Sequence, residues 1–484
     1  MNTDIRNLEP KRVWNNFADL NAVPRASKKE ERVIAFMVDF GKKLGLETLI
    51  DPIQNVIIKK PATKGMENRK TIVMQSHLDM VHQKNNETVF NFDTEGIKMY
   101  VDGDWVKADG TTLGADNGLG VASIMTILES TDIAHPAIEA LFTIDEETGM
   151  TGALGLQAGY LTGEILLNLD TEEDDEIGVG CAGGIDVTAT KNYQVESFDQ
   201  NNLAFEINVK GLQGGHSGMD IHKGFGNANK LMNRILHDLT NWIQIAEIDG
   251  GSLRNAIPRE SNAIVISNDI EAMNTAFEVI KEKILNEFTT TEKDLTISIS
   301  KTEKPNSVLS KADQNILINT VYAAHNGVFR MSPDIEDLVE TSNNIARILV
   351  KDGLMEIACL TRSSMDSGKW NMANTLKSAF ELGGFTIEYD GAYPGWKPNP
   401  NSPILKVMSL LYKNLFDEEP RILACHAGLE CGILGTNYPD MDMISFGPTI
   451  RGAHSPDERV CISSTQKYWK FLIETLKNIP EKIN

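Results

Sequence analysis

Apolar positions in the first 186 residues alternate between two spacings. Short, almost continuous apolar runs, which are typical of buried strands, begin at Asn55, Thr71, Ile138 and Glu164. Apolar residues at helical spacing stand between these runs, over residues 33–40 and again over residues 121–128. Strands that alternate with amphipathic helices predict an α/β fold, with a doubly wound and mostly parallel sheet.

The first of these helices has recognisable start and stop signals. Ser27, with Glu30 three residues later, has the form of a capping box, in which the two side chains cap each other's backbone amides. Gly45 stands where such a helix would end. We therefore predict Ser27 as the N-cap and Gly45 as the stop.

The pattern changes at about residue 187. Alternating apolar and polar positions, which predict strands with one buried face, begin at Ala204, Asn262 and Leu295, and long helical segments separate them. After Pro394 the helix-and-strand alternation of the first part resumes. We therefore predict one discontinuous α/β domain, residues 1–186 and 396–484, interrupted by an inserted α+β domain, residues 187–395.

Composition narrows the class of protein. Lys plus Arg number 46 and Asp plus Glu number 68, so the formal charge of −22 argues against binding to nucleic acid or anionic lipid. No apolar run approaches the roughly 18 residues that span a bilayer, and the first residues lack a signal-peptide pattern. The five cysteines are scattered without a C-x-x-C pair, so we expect neither disulfides nor a structural zinc site. These features predict a cytosolic protein with no nucleic-acid partner and no membrane association.

The first candidate for chemistry is the pair His77 and Asp79, at the end of a predicted strand. Residues two apart in an extended chain share a face, so we expect the Asp79 carboxylate to reach the edge of the His77 ring. Such a contact fixes the tautomer of a metal-binding histidine. The same pair is also common without a metal, where the acid simply satisfies a histidine at a strand end.

Carboxylates stand at further strand ends. Asp116 lies where a Gly-rich loop meets a helix, and it either caps that helix or faces the sheet edge where open α/β folds build their sites. Glu146 and Glu147 directly follow an apolar run. Because successive strand positions face opposite ways, one of them would bind metal while the other acts as a base. The alternative is a solvated acidic turn.

Asp170 and His454 complete the set. Asp170 ends another apolar strand, and His454 lies in a Gly/Pro loop after a strand near the C-terminus. Two histidines and three carboxylates are ligands suited to paired divalent cations, zinc in particular where imidazole contributes. Two such ions about 3.5 to 4 Å apart polarise a carbonyl and hold a hydroxide, which predicts a hydrolase. The sequence shows no pattern for a serine or cysteine nucleophile or for a phosphate-binding loop.

Six motifs, in the order SHLDMV, GADNG, DEETG, LNLDTEE, GGHSG and GAHSPDE, resemble the two-zinc metallopeptidase family that includes aminoacylases, carnosinases and bacterial carboxypeptidases. Longer segments such as LGADNGLGVA, RNAIPRE and HAGLECG are similar to the dipeptidase branch of that family. The resemblance runs along nearly the whole chain. It implies that residues 1–186 and 396–484 form the catalytic domain and that residues 187–395 form a lid.

The resemblance also implies a role for each residue of the candidate metal site. Asp116 would bridge two zinc ions per chain, for which manganese or cobalt could substitute. His77 and Asp170 would complete one metal site, and Glu147 and His454 the other.

The remaining catalytic roles come from the same resemblance. Glu146 would be the general base and acid, taking a proton from the attacking water and passing it to the leaving amine. Asp79 would orient His77. Asn117 stands where many relatives carry a second Asp, a departure that fits the dipeptidase branch.

The resemblance places substrate contacts mainly in the inserted domain. His216 matches a lid histidine that holds the scissile carbonyl oxygen or the substrate carboxylate, in some dimers from the neighbouring subunit. Asn255 and Arg362 match positions that bind the substrate C-terminus, for which the arginine fork is suited. Glu430, in HAGLECG, would line the substrate pocket. A buried structural histidine and a surface arginine are the alternatives.

The leading hypothesis is a zinc-dependent dipeptidase that hydrolyses Xaa-His and other unblocked dipeptides in the cytosol. Two alternatives keep the same two-metal site, an aminotripeptidase and an N-acyl amino acid hydrolase, and a third is a non-catalytic peptide-binding homologue. We expect small peptides as the substrates, and the sequence leaves a homodimer open.

Overall fold

The computed structural model describes residues 4–482, in which helices and strands alternate where the apolar pattern predicts them. The α-helices are α1 (Lys11–Leu20), α2 (Glu31–Lys43), α3 (Ala115–Glu129), α4 (Glu146–Gly149), α5 (Thr151–Gly155), α6 (Ala228–Leu239), α7 (Ile270–Glu287), α8 (Lys311–Ala323), α9 (Asp366–Leu382), α10 (Pro403–Phe416), α11 (Glu430–Asn437) and α12 (Ile462–Lys477).

The strands fall between these helices and are longest in the middle of the chain. They are β1 (Glu47–Ile50), β2 (Val56–Lys60), β3 (Ile72–His77), β4 (Met99–Asp102), β5 (Trp105–Ala108), β6 (Ile138–Thr143), β7 (Ile165–Asn168), β8 (Glu176–Cys181), β9 (Gly183–Asn192), β10 (Val195–Glu196), β11 (Leu203–Lys210), β12 (Ile243–Gly251), β13 (Ser261–Ser267), β14 (Thr296–Lys301), β15 (Val308–Leu309), β16 (Gly327–Met331), β17 (Val339–Lys351), β18 (Leu354–Ser363), β19 (Thr386–Tyr393), β20 (Arg421–Cys425), β21 (Asp442–Ser445), β22 (Ile450–Arg451) and β23 (Arg459–Cys461).

The described chain divides into two compact units. The first unit takes the residues up to Gly180, the segment Pro398–Ala424 and the residues from Leu429 onward. The second unit takes Cys181–Lys397 and the short segment Cys425–Gly428. The role of the second unit as a lid stays a prediction.

The first unit is built on an eight-stranded sheet of order β1-β2-β6-β3-β7-β21-β8-β20. Its four central strands, β6, β3, β7 and β21, are parallel to one another, while β1, β2 and β8 pair antiparallel at the sides. All residues of β3, β6 and β7 are buried, as in a sheet that is covered on both faces. The predicted α/β fold class is confirmed.

The register of the central strands aligns their carboxyl ends. His77 lies opposite Thr143 in the β3/β6 pair, and Gln75 lies opposite Asn168 in the β3/β7 pair. Because parallel strands end at the same edge of a sheet, the residues that follow β3, β6 and β7 meet there.

The second unit has a different sheet. Its main sheet is antiparallel throughout, in the order β14-β11-β13-β12-β17-β18-β9-β19, with β16 beside β17. Helices α6 to α9 contribute apolar residues such as Leu236, Phe277, Leu317 and Phe380 to one large core with this sheet. Antiparallel strands with helices packed on them form the α+β arrangement that the alternating pattern predicts.

The capping box predicted for α2 is wrong. The helix begins at Glu31, and its N-cap residue, Glu30, makes no side-chain cap. Lys28 has a φ of 64°, which turns the chain before the helix, and the Ser27 hydroxyl donates to Asp79 at 2.8 Å. The predicted end is confirmed, because α2 stops at Lys43 and Gly45 has a φ of 68°.

None of the helices in the described part of the chain combines the length and apolarity that a membrane crossing requires.

Candidate metal centre

The carboxyl edge of the central sheet brings the predicted metal ligands together. His77 is the last residue of β3, Asp170 follows β7, and Glu147 stands in α4 just after β6. Asp116 lies in the first turn of α3, and His454 lies in the loop between β22 and β23. Five residues that are far apart in sequence therefore share one site.

These residues form two groups that have Asp116 in common. The ligand atoms of His77, Asp116 and Asp170 lie within 4.8 Å of one another, and so do those of Asp116, Glu147 and His454. His77 Nε2 is 3.1 Å from one Asp116 oxygen, and His454 Nε2 is 3.2 Å from the other. The two oxygens of Asp116 thus face different histidines, one in each group.

Charge and hydrogen bonding both fit cations at this edge. Glu147 Oε1 is buried and has no hydrogen-bond partner, while Glu147 Oε2 is 2.9 Å from His454 Nε2. Hydrogen bonds to Asp116 and Glu147 raise the pKa of His454 to about 11. Divalent cations bound to the same atoms would replace the proton on His454 and satisfy the unpaired oxygen of Glu147. A ligand set of imidazole and carboxylate groups suits zinc.

Asp116 does not cap its helix. The N-cap position belongs to Gly114, whose φ is 70°. A Cβ there would come within 2.4 Å of Arg25 Nη2, so both the backbone angle and the packing require glycine. Hydrogen bonds from His454 and His77 outweigh the effect of burial and lower the pKa of Asp116. The cap alternative for Asp116 is therefore wrong.

Asp79 lies beside His77, as the spacing predicts, but its carboxylate has several partners. The His77 Nδ1 atom is 3.1 Å from the Asp79 carbonyl oxygen and 3.4 Å from its Oδ1. The same carboxylate accepts the backbone N–H of Glu146 at 3.0 Å and that of Glu147 at 3.2 Å. Asp79 therefore ties the ring of His77 to the start of α4.

The strand-parity argument for Glu146 and Glu147 is wrong in its premise. The strand β6 ends at Thr143, Asp145 has a φ of 52°, and the two glutamates begin the short helix α4. Their amides turn toward Asp79 because a helical turn exposes its first N–H groups. Atoms of His77, Glu146 and Glu147 nevertheless lie within 4.8 Å of one another.

Glu146 has the electrostatic surroundings of a proton carrier. Burial raises its pKa well above the ordinary value, the charge of His77 opposes that shift, and the charges of Asp170, Glu430 and Glu147 add to it. A carboxylate that holds a proton more tightly than usual is suited to general base and acid chemistry.

The sequence alone does not identify Asn117 as a functional residue, since it appears there only as a departure from the family pattern. Its amide donates to the Leu169 carbonyl at 2.7 Å and to Asp170 Oδ1. A carboxylate at this position has no N–H to give to either acceptor. Asn117 therefore orients Asp170, and an amide beside a candidate ligand is the signal that could have identified it.

In the second unit, two of the predicted substrate-binding residues, Asn255 and Arg362, contact Ser217, which directly follows the third, His216. The Ser217 amide donates to the Asn255 carbonyl at 2.7 Å, and Arg362 Nε is 3.5 Å from the Ser217 hydroxyl. Arg362 is 5% exposed and donates to the Tyr393 hydroxyl at 3.0 Å, so the surface alternative for this arginine is wrong.

His216 is held in one tautomer. Its Nδ1 accepts the N–H of Gly218 at 3.2 Å and that of Met219 at 3.1 Å, so the proton of the neutral ring is on Nε2. In this tautomer the ring carries its N–H on Nε2, which is the kind of group that a contact to a carbonyl or carboxylate oxygen requires.

Glu430 is fully buried in the first unit. Its Oε2 accepts from Gln75 Nε2 and from the Thr143 hydroxyl, both at 2.6 Å, and its Oε1 has no hydrogen-bond partner. Burial raises the pKa of Glu430 to about 8. Its contacts are with β3 and β6, and a role in lining a substrate pocket stays a prediction.

Comparison with known proteins agrees with this site. Residues 73–478 match the family described as peptidase family M20/M25/M40. The chain is 43% identical to the cytosol non-specific dipeptidase of Escherichia coli (strain K12) over 484 residues, 99% of this chain and 100% of that protein. The crystal structure of aminoacylhistidine dipeptidase from Vibrio alginolyticus has a TM-score of 0.90 at 44% identity and covers 99% of both chains. Aminopeptidase PepT from Bacillus cereus, at 16% identity and a TM-score of 0.57, shares the fold over 98% of this chain and 99% of its own.

Proposed function

The chain belongs to the peptidase family M20/M25/M40 and is a metallopeptidase, and we propose that it hydrolyses unblocked dipeptides, Xaa-His among them. The similarity of its motifs to the dipeptidase branch is confirmed by the relatives, which match along the full length of the chain. The observation that carries the proposal is the pair of ligand groups that share Asp116, with Glu146 beside them.

Five side chains would hold the cations. His77 and Asp170 would bind one zinc ion, Glu147 and His454 the other, and Asp116 both, and manganese or cobalt could take the place of zinc. Bound divalent cations supply Lewis acidity toward the scissile carbonyl and lower the pKa of water.

Glu146 would carry the proton. It would accept a proton from the attacking water and return it to the leaving amine, which becomes the amino group of the released residue. Its raised pKa supports this role, since the proton must stay on the carboxyl group until the C–N bond breaks. Asp79 would keep His77 and the start of α4 in place through the contacts described above.

The second unit would bind the substrate. Arg362 is buried and bonded to the hydroxyls of Tyr393 and Ser217, and a buried guanidinium attracts a carboxylate. His216 would donate from Nε2 to the scissile carbonyl or the substrate carboxylate, and Asn255 would contact the C-terminus of the substrate. A free carboxylate one residue after the scissile bond is what a dipeptide offers.

A substrate panel tests the proposal. Hydrolysis of β-Ala-His, Gly-His, Leu-Gly, Leu-Gly-Gly and an N-acetylated amino acid is measured as purified, after chelation, and after zinc is restored. We expect chelator-sensitive cleavage of the free-amine dipeptides, with recovery on zinc. Cleavage that favours Leu-Gly-Gly or the acetylated compound would establish one of the other two hydrolases. Metal binding without any cleavage would point to a peptide-binding protein.

A further inference from the structure

Glu458 is a buried acid that the proposed mechanism does not use. Its side chain is 2% exposed, and it lies four residues after His454 in the loop that leads to β23. Burial raises the pKa of Glu458 to about 7, because a carboxylate is less stable away from water. The hydrogen bonds of Glu458 must therefore explain why an acid stands at this buried position.

Those contacts are four consecutive backbone amides. Oε2 of Glu458 accepts the N–H of Leu113 at 2.7 Å and that of Gly114 at 2.9 Å. Its Oε1 accepts the N–H of Ala115 at 2.7 Å and that of Asp116 at 3.3 Å. Glu458 therefore caps the start of α3, although it lies 342 positions after Asp116 in the sequence. The last of its four bonds is to the backbone N–H of Asp116, the proposed bridging ligand.

Arg25 holds the same segment from its other side. Its guanidinium is buried, and Nη2 donates to the Gly114 carbonyl at 2.6 Å. Nη1 donates to the carbonyls of Leu78 at 3.0 Å and Asp79 at 3.1 Å, directly after His77. Gly114 thus donates its N–H to the Glu458 carboxylate, and its carbonyl oxygen accepts a hydrogen bond from the Arg25 guanidinium.

We propose that Glu458, with Arg25, is a positioning residue that presets Asp116 for metal binding. Glu458 fixes the loop of Asp116 to the loop of His454, and Arg25 fixes it to the end of the His77 strand. The ligands from three distant segments are then held in register before any cation binds. The inference rests on the proposed metal site.

The test compares two glutamate-to-glutamine changes in the same unit. In Glu458→Gln the new NH2 group faces two backbone N–H groups that it cannot accept. The matched control is Glu139→Gln, because Glu139 is also buried and accepts the amides of Thr162 at 2.7 Å and Gly163 at 3.0 Å, near the start of β6. Both changes remove acceptors from backbone amides, but only one of them touches the loop of Asp116.

The measurement is zinc affinity, by competition of zinc chloride with a chromogenic chelator. We expect Glu458→Gln to weaken zinc binding by about 10- to 100-fold, as is usual for residues that orient ligands, and Glu139→Gln to leave it within about threefold of the parent protein. Equal affinities for the two variants, or a parent-like affinity for Glu458→Gln, would overturn the inference. If the parent protein itself binds no zinc, the proposed function fails instead.

Hydrogen exchange on the unchanged protein decides the matter even if Glu458→Gln does not fold. Leu113 and Gly114 precede α3, and Glu458 is the acceptor for both amides. We expect these two amides to exchange at least about 100-fold more slowly than in an unstructured peptide, already after zinc is chelated. Exchange at the unstructured rate in the chelated protein would show that the loop is not preset.

Discussion

The two units bury different kinds of charge. In the first unit, Asp116, Glu147 and Asp170 converge on two histidines, and Glu147 keeps an unpartnered buried oxygen. In the second unit, the buried cation Arg362 bonds to hydroxyls. His426 nearby is neutral, because burial and the charges of Arg362 and other histidines lower its pKa to about 3.

This difference indicates what each region lacks. An excess of buried carboxylates is stabilised by cations, whereas a buried guanidinium is stabilised by an anion. The proposed function needs both, since it would activate water with metal and recognise a substrate carboxylate. The comparison therefore predicts that changes in the first unit act on catalysis or metal binding, and changes in the second on substrate affinity.

The largest expected effect follows the change Glu146→Gln. Glutamine keeps the size of the side chain but cannot carry the proton, so kcat should fall by about 10²- to 10⁴-fold. Metal content should stay near two ions per chain, because Glu146 is not one of the five proposed ligands. Steady-state kinetics and elemental analysis measure both, with Glu164→Gln, a half-exposed residue paired with Lys70, as the control. A variant that keeps substantial activity would rule out this assignment of the base.

A smaller and different effect is expected for Arg362→Lys in the second unit. Lysine keeps the charge but loses the forked pair of donors, so KM for a dipeptide should rise by about 10- to 100-fold. The value of kcat should change by less than about threefold, since the group binds the part of the substrate that does not react. Arg347→Lys, at a partly buried residue of the same unit that pairs with Asp249, is the control. A fall in kcat at unchanged KM would contradict the division of roles.

The smallest effect concerns stability and the buried acid Glu430. Its pKa is about 8 in the folded protein, above the ordinary value of 4.5, so its contribution to stability is complete below about pH 4.5 and is lost as the pH rises through 8. The change Glu430→Gln removes this loss of stability at high pH, because glutamine does not ionise. With metal chelated, the Tm of the variant minus that of the parent should increase by at least about 2 °C between pH 5 and pH 9. A difference that does not change with pH would show that Glu430 titrates normally.

Several parts of the fold could be predicted because local pattern decides them. The apolar runs at β3, β6 and β7 predict buried strands, and α2 and α3 follow the helical spacing over residues 33–40 and 121–128. Each metal-site candidate was recognised because a carboxylate or imidazole directly follows a buried strand or a loop at its end. The family resemblance supplied their roles, which the geometry alone leaves as a proposal.

The predictions that failed were those that depended on distant residues. Ser27 has the right spacing for a capping box, but Asp79 competes for its hydroxyl from 52 positions away. Glu146 and Glu147 look like the end of a strand, but the same Asp79 carboxylate accepts their amides and stabilises a helical turn. Local propensity is worth less than such partly buried hydrogen bonds, so tertiary contacts override it.

The kind of sheet, the acids and histidines at its edge, and the family of the chain can all be read from the amino-acid sequence. Periodicity and motif order are properties of the amino-acid sequence alone. Long-range contacts, in contrast, establish that Asp116 faces two histidines, that Asn117 orients Asp170, and that Glu458 caps α3. These contacts join segments up to 345 positions apart, so the local pattern along the chain does not reveal them.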